Sequence, residues 1–210
     1  MSVDLVLQVF ARAPELGRVK TRLGRVIGPV AALHWYRILV HRTLMIASTV
    51  PAQVQVWCPY EDDPFELEQI VDGLGMTFHQ QCAGDLGRRM EFALQAGLGL
   101  GSRVLLIGAD CPVWTPEALA AAGQALSAAS MVLVPADDGG YVGVGVSESV
   151  PPVFEGVAWS SASVTSQTRR LMEQAGVDWL ELPTLWDVDR PEDLDRWLTA
   201  EPNLPRPIVG

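Results

Sequence analysis

The 210-residue sequence has very little positive charge: Lys20 is its only lysine, and acidic residues outnumber basic ones by 25 to 15. The formal net charge is −10. A protein that binds nucleic acid or an anionic membrane surface needs a broad basic face, because it must neutralise many phosphates. The composition therefore argues against both classes, and we predict neither nucleic acid nor a membrane as a partner.

The sequence is also poor in cysteine and histidine, with three of each. The cysteines are Cys58, Cys82 and Cys111. Their spacings of 24 and 29 residues form no CxxC pair. A disulfide framework and a structural zinc site are therefore not expected.

No apolar run reaches the roughly 18 residues of a membrane span. The start, "MSVDLVLQVF", has neither a basic region nor a small-residue cleavage site, so we expect a cytoplasmic protein. Hydrophobic residues make up 49% of the chain, which is enough for a sizeable core. We predict one domain over residues 1–200 and a Pro-rich C-terminal tail over 201–210.

Short β-branched runs alternate with helical patterns along the first two thirds of the chain. Strands are predicted over 3–10, 52–58, 76–81, 103–109 and 130–136, and helices over 29–48, 64–74, 86–98 and 115–126. This alternation predicts an α/β fold with a mostly parallel sheet. Next, "DDGGYVGVGV" leads into a strand too quickly for a crossover helix, which indicates an antiparallel or irregular strand. A helix (about 161–175), a strand (177–182) and a helix from Pro191 follow.

The positive charge is concentrated directly behind the first predicted strand. The segment Arg12–Arg25 holds five basic residues and one acid, so it carries +4 and leaves −14 for the rest of the chain. A P-loop requires glycine immediately before its lysine, and here Val19 precedes Lys20, so that motif is excluded. Lysine and arginine at the carboxyl end of a strand suit phosphate oxygens. We predict that Lys20 and Arg22 contact phosphates; the alternative is a solvated basic loop.

Acidic residues follow two later buried strands. Asp110 comes directly after "VLLIGA", where a carboxylate can hold Mg²⁺ or Mn²⁺ bridging a diphosphate. Asp137 and Asp138 precede paired glycines, which permit positive φ and close approach to a ligand. The two strand tips should be neighbours. The alternatives are that Asp110 caps the following turn and that the paired acids form an ordinary turn.

Two further stretches are weaker candidates. In "GDLGRRM", Asp85 is a natural N-cap, so Gly87 and either Arg88 or Arg89 would lie near an exposed helix start that can bind an anion. An arginine pair on a helix is otherwise a solvated face. In "LWDVDRPEDL", Asp189 and Glu192 have the spacing of a capping box, which leaves Asp187 as the better second metal ligand.

Six motifs together resemble a known bacterial family. They are "FARAPELGRVKTRLG", "GDLGRRM", "IGADCP", "PADDGGY", Trp159 with a Ser/Thr-rich helix start, and "DVDRPEDL". In this order they resemble GT-A-like nucleotide-diphospho-sugar transferases, some of which are named glycosyltransferases of arsenosugar biosynthesis. The resemblance covers residues 3–198. It extends more loosely to molybdopterin-cofactor guanylyltransferases and 2-phospholactate guanylyltransferase.

The resemblance implies a Rossmann-like GT-A fold with a mixed sheet, helices on both faces and Mg²⁺ or Mn²⁺ as cofactor. It assigns nucleotide and phosphate binding to Arg12, Gly17, Lys20, Arg22, Gly87 and Arg89. It assigns the metal to Asp110 with Asp187 or Asp189, and the sugar or acceptor to Asp137, Asp138, Gly139, Gly140 and Tyr141. Lys20, Asp110 and Asp138 are the predicted catalytic residues. The chain departs from the common pattern in two places: "GADCP" supplies one aspartate only, where many glycosyltransferases have a strict DxD signature, and Val142 stands where a second large aromatic is common.

These observations predict a metal-dependent transferase with a nucleotide or nucleotide-sugar donor and a small-molecule acceptor. Glycosyl transfer is the preferred reaction. Nucleotidylyl transfer, which releases pyrophosphate, is the first alternative, because both reactions build negative charge on a diphosphate. A nucleotide-binding module without turnover is the second. Seven tryptophans and scattered apolar residues are compatible with a homodimer.

Overall fold

The computed structural model describes residues 3–207 and is built on a seven-stranded sheet. The strands are β1 (Val3–Phe10), β2 (Gln53–Pro59), β3 (Thr77–Gln81), β4 (Gly101–Gly108), β5 (Met131–Pro135), β6 (Tyr141–Ser147) and β7 (Trp179–Glu181). Their order in the sheet is β3-β2-β1-β4-β6-β5-β7, and β6 is antiparallel to both of its neighbours. The remaining pairs are parallel, so the predicted mixed α/β sheet is confirmed.

Helices cover both faces of the sheet. They are α1 (Thr21–Ile27), α2 (Pro29–Ser48), α3 (Phe65–Gly73), α4 (Leu86–Leu98), α5 (Pro116–Ala125), α6 (Val164–Ala175) and α7 (Pro191–Ala200). Buried residues of α2, α3 and α5 pack in one core cluster, and those of α4 and α6 pack in a second on the other face. A third cluster joins α1, α2 and α7 through Trp35, Trp186 and Trp197.

Two features of the fold, the position of β6 and the presence of α1, differ from the prediction. The strand after "DDGG" is antiparallel, as predicted, but β6 inserts between β4 and β5 instead of extending the sheet. As a result the tips of β4 and β5 are separated by the start of β6. The helix α1 was not predicted: it ends at Gly28, whose φ is +86°, and Pro29 begins α2 immediately afterwards.

The predicted helix starts are mostly confirmed. Asp85 accepts a hydrogen bond from the Arg88 amide at 2.9 Å, and Thr115 Oγ1 accepts one from the Ala118 amide at 3.1 Å. The capping box proposed for Asp189 and Glu192 is wrong. The α7 box is set one residue later, where the Asp193 carboxylate accepts from the amide of Arg190 at 2.7 Å. This shift frees the Asp189 carboxylate for another partner.

The start of the C-terminal tail packs against the molecule. Leu204 contacts the third core cluster, and the Pro205 carbonyl lies 3.1 Å from Nε2 of His34. The last three residues of the predicted tail, 208–210, lie outside the described residues. Between residues 3 and 207, no helix is long and apolar enough to cross a membrane.

Candidate active site

A cavity of about 520 Å³ lies at the carboxyl ends of the parallel strands, which is where open α/β sheets bind ligands. Side chains of opposite charge line it in equal number. The basic ones are Arg12, Arg18, Lys20 and Arg22, and the acidic ones are Asp110, Asp138, Asp187 and Asp189. The local basic segment and the acidic strand tips of the sequence therefore meet in one place.

Lys20 is the most enclosed of the four basic residues, with its side chain only 7% exposed. Its backbone is left-handed, with φ 44° and ψ 46°, and it stands directly before α1. Nζ lies 2.8 Å from Oδ2 of Asp110. Burial disfavours the ammonium, but the charge and hydrogen bond of Asp110 outweigh burial, so the pKa of Lys20 is raised.

Arg22 lies on the first turn of α1 and reaches across the cavity. Its Nη1 donates to Oδ2 of Asp189 at 2.7 Å. The hydrogen bond and the charge of Asp189 raise the pKa of Arg22 further. The basic segment is therefore joined to the C-terminal acids by two ion pairs, Lys20–Asp110 and Arg22–Asp189.

Asp187 is the acid in the cavity whose charge is least compensated. Burial raises its pKa to about 7, the negative charge of Asp110 adds to this, and Lys20 opposes it. A strongly perturbed carboxyl in a cleft is a frequent feature of functional sites. The surroundings of Asp187 thus disfavour its ionised form.

Asp110 and Asp187 also fit a divalent cation. Over the described part of the chain, no group of three or more His, Cys, Asp or Glu side chains is arranged to hold a metal on its own. Mg²⁺, however, is usually held by one or two carboxylates together with substrate phosphates and water. The mutual repulsion of Asp110 and Asp187 is what such a cation would relieve. Asp110 and Asp189 are each paired with a basic side chain, Lys20 and Arg22, but the largest repulsion on Asp187 comes from Asp110. Asp189 is therefore the less suited of the two.

The loop of residues 11–20, here called the basic loop, is organised by a residue that sequence reasoning missed. Asp62 is buried, with its side chain 1% exposed, and accepts from Nε and Nη2 of Arg12 at 3.1 and 2.6 Å. It also accepts from the Ala13 amide at 3.1 Å. The guanidinium of Arg12, predicted to contact phosphate, is thus engaged by Asp62. Tyr36 supports the same loop, since its hydroxyl bonds the amide and the carbonyl of Arg12.

The "DDGGY" segment is divided by the structure. Asp138, Gly140 and Tyr141 line the cavity. Asp137 does not; its carboxylate binds Nη1 of Arg196 at 2.7 Å instead. Gly139, at φ +90°, also does not line the cavity, and a Cβ there would lie 2.1 Å from the Ala162 carbonyl oxygen. The backbone of Gly139 therefore packs closely against the segment before α6.

Three more predicted phosphate-binding residues lie away from this cavity. Gly17 is in the basic loop at φ +76°, and a Cβ there would have no neighbour within 4 Å. Gly87 is a packing position: a Cβ there would lie 2.5 Å from the Phe154 carbonyl oxygen. Arg89 lines an adjoining cavity of about 370 Å³ and binds Glu61 at 3.1 Å.

The structure adds cavity residues that sequence reasoning did not assign. They include Tyr36, Arg18 on the basic loop, and the segment Trp159–Ser161. Ser160 has a φ of +66°, which is uncommon for a residue other than glycine. The "W–Ser/Thr" motif had marked this segment, but nothing in its composition indicated that it faces the charged residues.

A family model described as "Uncharacterized protein conserved in bacteria (DUF2064)" matches residues 43–161 of the chain. The chain is also 32% identical to a protein from Desulfovibrio desulfuricans G20 described as a "putative nucleotide-diphospho-sugar transferase". That similarity covers 97% of this chain and 90% of the other, with a TM-score of 0.88. The chain belongs to this bacterial family. The resemblance read from the six motifs is therefore confirmed, and the DUF2064 match spans α4, Asp110 and the "DDGGY" segment.

More distant structures share the fold of this DUF2064 member. A CMP:2-keto-3-deoxy-manno-octonic acid synthetase in complex with CTP has 16% identity and a TM-score of 0.60, covering 95% of this chain and 99% of the other. A Mycobacterium tuberculosis H37Rv protein, Rv0371c, in complex with manganese has 17% identity and a TM-score of 0.55, covering 94% and 99%. No curated protein matches the chain.

Proposed function

We propose that this protein is a metal-dependent transferase that uses a nucleoside-diphosphate-linked donor and transfers a glycosyl group to a small acceptor. The observation that carries the proposal is the cavity in which Lys20 and Arg22 face Asp110, Asp187 and Asp189. An equal number of cations and carboxylates suits a diphosphate together with a divalent metal ion. The similarity to the Desulfovibrio protein supports this substrate class.

The basic loop would bind the diphosphate. Lys20 contributes a nearly buried point charge, which is worth more there than in water. Arg22 and Arg18 are more exposed and offer planar forks at the cavity mouth. When the donor binds, its phosphate oxygens would replace the Asp110 carboxylate at Lys20 and free Asp110 for the metal ion. Arg22 would keep its bond to Asp189 and offer its remaining N–H groups to the phosphates. Charge that develops on the leaving diphosphate would then be stabilised by groups already in position.

Asp110 and Asp187 would hold the metal ion, which when bound supplies positive charge opposite the diphosphate. The fold shared with a manganese complex is compatible with this assignment. Asp189 would act on Arg22 instead, since the two are already bonded at 2.7 Å. We therefore assign Asp187 rather than Asp189 as the second metal ligand.

Asp138 would position the acceptor. One of its oxygens, Oδ1, accepts from the Gly140 amide at 2.8 Å, which leaves the other able to face the cavity. A carboxylate held in this way can accept the proton of an attacking hydroxyl group. Gly140 and Tyr141 would shape the same side of the site. Asp137 has no part in this proposal because it binds Arg196.

The nucleoside would lie in the adjoining cavity beside Arg89. That cavity shares Phe10, Arg12 and Leu86 with the charged one, so a diphosphate in the first places a nucleoside within reach of the second. Glu61 and Gln81 offer hydrogen-bond acceptors there. Gly87 serves packing and would take no direct part.

The reaction type is tested by identifying the products. The protein is incubated with Mn²⁺ and either a panel of nucleotide sugars or a panel of nucleoside triphosphates with sugar phosphates. Release of a nucleoside diphosphate without pyrophosphate is the expected result. Release of pyrophosphate would instead show that the same site catalyses nucleotidylyl transfer. Metal-dependent binding without turnover of any donor would overturn both reactions and indicate a binding module.

A further inference from the structure

A second compartment, of about 280 Å³, opens off the charged cavity. The two share Asp110, Asp138 and Asp187, so the compartment begins at the acidic edge of the site. The residues that line only the compartment are all apolar or glycine: Met90, Leu106, Gly108, Ala136, Val142, Gly143 and Val144. The charged cavity therefore continues into a space of opposite chemical character.

The floor of this apolar compartment is a cross-strand pair. Leu106 on β4 stands opposite Val144 on β6, and both are buried. Leu106 and Gly108 alternate along β4, so they face the same side of the sheet. Asp110 follows the strand in a turn, and its carboxylate lies over this same side, because a Cβ on Gly108 would be 2.7 Å from its Oδ1. The absence of a side chain at Gly108 thus lets the Asp110 carboxylate lie directly beside the apolar floor.

The walls are apolar as well. Phe10 stands opposite Gly108 in the β1–β4 register, and Tyr141 lines the other side. Leu86 and Met90 close the compartment from the first turns of α4. Leu86 is a large apolar residue, yet it is 44% exposed. The compartment accounts for this exposure, since Leu86 borders both cavities.

We propose that this compartment binds an apolar alkyl or aryl group of the acceptor, whose reacting hydroxyl lies at Asp138. The inference rests on the proposed transferase function and narrows its acceptor class. A hydroxyl-rich group would lose its hydrogen bonds to water against Leu106, Met90 and Val144, and such losses are costly. An apolar group would gain from the same surface. A closed cavity of about 150 Å³ is known to hold benzene, so the size is sufficient for a substituted ring.

The test is a calorimetric titration of the full chain with inorganic phosphate and with methyl, butyl and hexyl phosphate. Saturation-transfer NMR measures the binding of a matching series of alcohols from ethanol to hexanol. Erythritol is the polar counterpart in this series. We expect affinity to rise about fourfold for each methylene that enters the compartment. Erythritol should show no binding.

Two variants locate the effect. Leu86→Ser should weaken the binding of hexyl phosphate about fivefold to tenfold more than the binding of inorganic phosphate. Phe92→Ser is the control, because Phe92 is an equally exposed apolar residue of α4 that lines neither cavity. Thermal unfolding of both variants confirms that they fold.

The outcomes separate this inference from the function on which it rests. Equal affinity for all chain lengths, with phosphate bound, would overturn the apolar subsite and leave the diphosphate site intact. The same loss in Leu86→Ser and Phe92→Ser would also overturn it. Chain-length dependence among the alcohols, with no phosphate bound, would support the subsite and contradict the proposed function.

Discussion

Asp62 shows how a single buried carboxylate can set the shape of a loop that carries charge. It bonds both the side chain of Arg12 and the amide of Ala13, and Nη2 of Arg18 lies 3.4 Å away. Burial favours protonation of Asp62, but the hydrogen bond and charge of Arg12 outweigh burial, and its pKa is lowered. The loop is thus held in place before any ligand arrives.

Substitution Asp62→Asn should lower the free energy of unfolding by about 1.5–3 kcal/mol at pH 7, because it removes the negative charge that faces Arg12 and one of the two oxygens that accept from Arg12 and Ala13. We expect the lower part of this range, since Arg12 is 43% exposed. Urea denaturation measures the difference. The pKa of Asp62 is depressed on folding, so its contribution is present above the unfolded value of about 3.8 and is lost as pH falls below it.

Glu15→Gln provides the control for Asp62→Asn. Glu15 also pairs with Arg18, at 3.0 Å, and accepts from the Asp63 amide at 3.0 Å, but its side chain is 28% exposed against 1% for Asp62. Its loss should therefore change stability by no more than about 1 kcal/mol. Equal effects of the two substitutions would contradict the role given to Asp62.

Asp187→Asn should stabilise the protein at alkaline pH. Folding raises the pKa of Asp187 from 3.8 to about 7, so the wild type loses stability as pH rises between these values. The variant has no such loss. The gain should be absent near pH 4, grow towards pH 7 and level off above it, reaching at most about 4 kcal/mol for a shift of three pH units.

Thermal unfolding of the metal-free protein at pH 4, 6 and 8 measures this gain. A constant difference between Asp187→Asn and the wild type across that range would show that Asp187 is not perturbed by its surroundings. Stabilisation from losing a carboxylate is expected where that group is retained for binding rather than for folding.

Among the helices and strands, α7 fixes the position of Asp189. Asp193 bonds the amides of Asp189 and Arg190 at 3.0 and 2.7 Å, and so fixes the segment that presents Asp189 to Arg22. Trp197 of the same helix packs against Trp35 of α2. The position of Asp189 therefore depends on a cap and on a core contact.

Asp193→Ala should destabilise the protein by about 1 kcal/mol, which is typical for loss of a helix cap. Glu192→Ala removes a neighbouring acid of the same helix turn, where only the helix dipole is affected, and should cost no more than about 0.5 kcal/mol. Guanidinium denaturation compares the two. If Glu192→Ala proved the more harmful, the capping box placed at Asp189 and Glu192 by sequence reasoning would be correct after all.

The elements that could be predicted from the sequence are those with a clear hydrophobic period. The predicted helix over 29–48 is confirmed with the same bounds, and so is the strand over 3–10. The insertion of β6 could not be predicted, because local alternation identifies a strand but not its neighbours. The helix α1 was missed because its seven residues carry no acid in the first turn and no side-chain cap.

At the scale of the whole molecule, the fold brings the predicted charges together. Lys20 and Asp110 are 90 residues apart in sequence, and Arg22 and Asp189 are 167 apart, yet each pair is bonded. Their meeting was predictable because strand tips of a parallel sheet share one edge. Two contacts were not predicted, because no local pattern in the sequence indicates them. They are the ion pair between Arg12 and Asp62 and the ion pair between Arg196 and Asp137. Division into a domain of residues 1–200 and a tail remains a prediction.

Above all, we propose that the basic loop, together with Asp110, Asp187 and Asp189, forms a diphosphate site. This proposal is tested most directly by calorimetric titration of nucleoside diphosphates, with Mn²⁺ present, into the wild type and Lys20→Ala. Arg170→Ala, which removes one exposed positive charge on α6, is the control for net charge. We predict that Lys20→Ala weakens binding about 10- to 100-fold while Arg170→Ala does not. Unchanged affinity in Lys20→Ala, or an equal loss in both variants, would contradict the account.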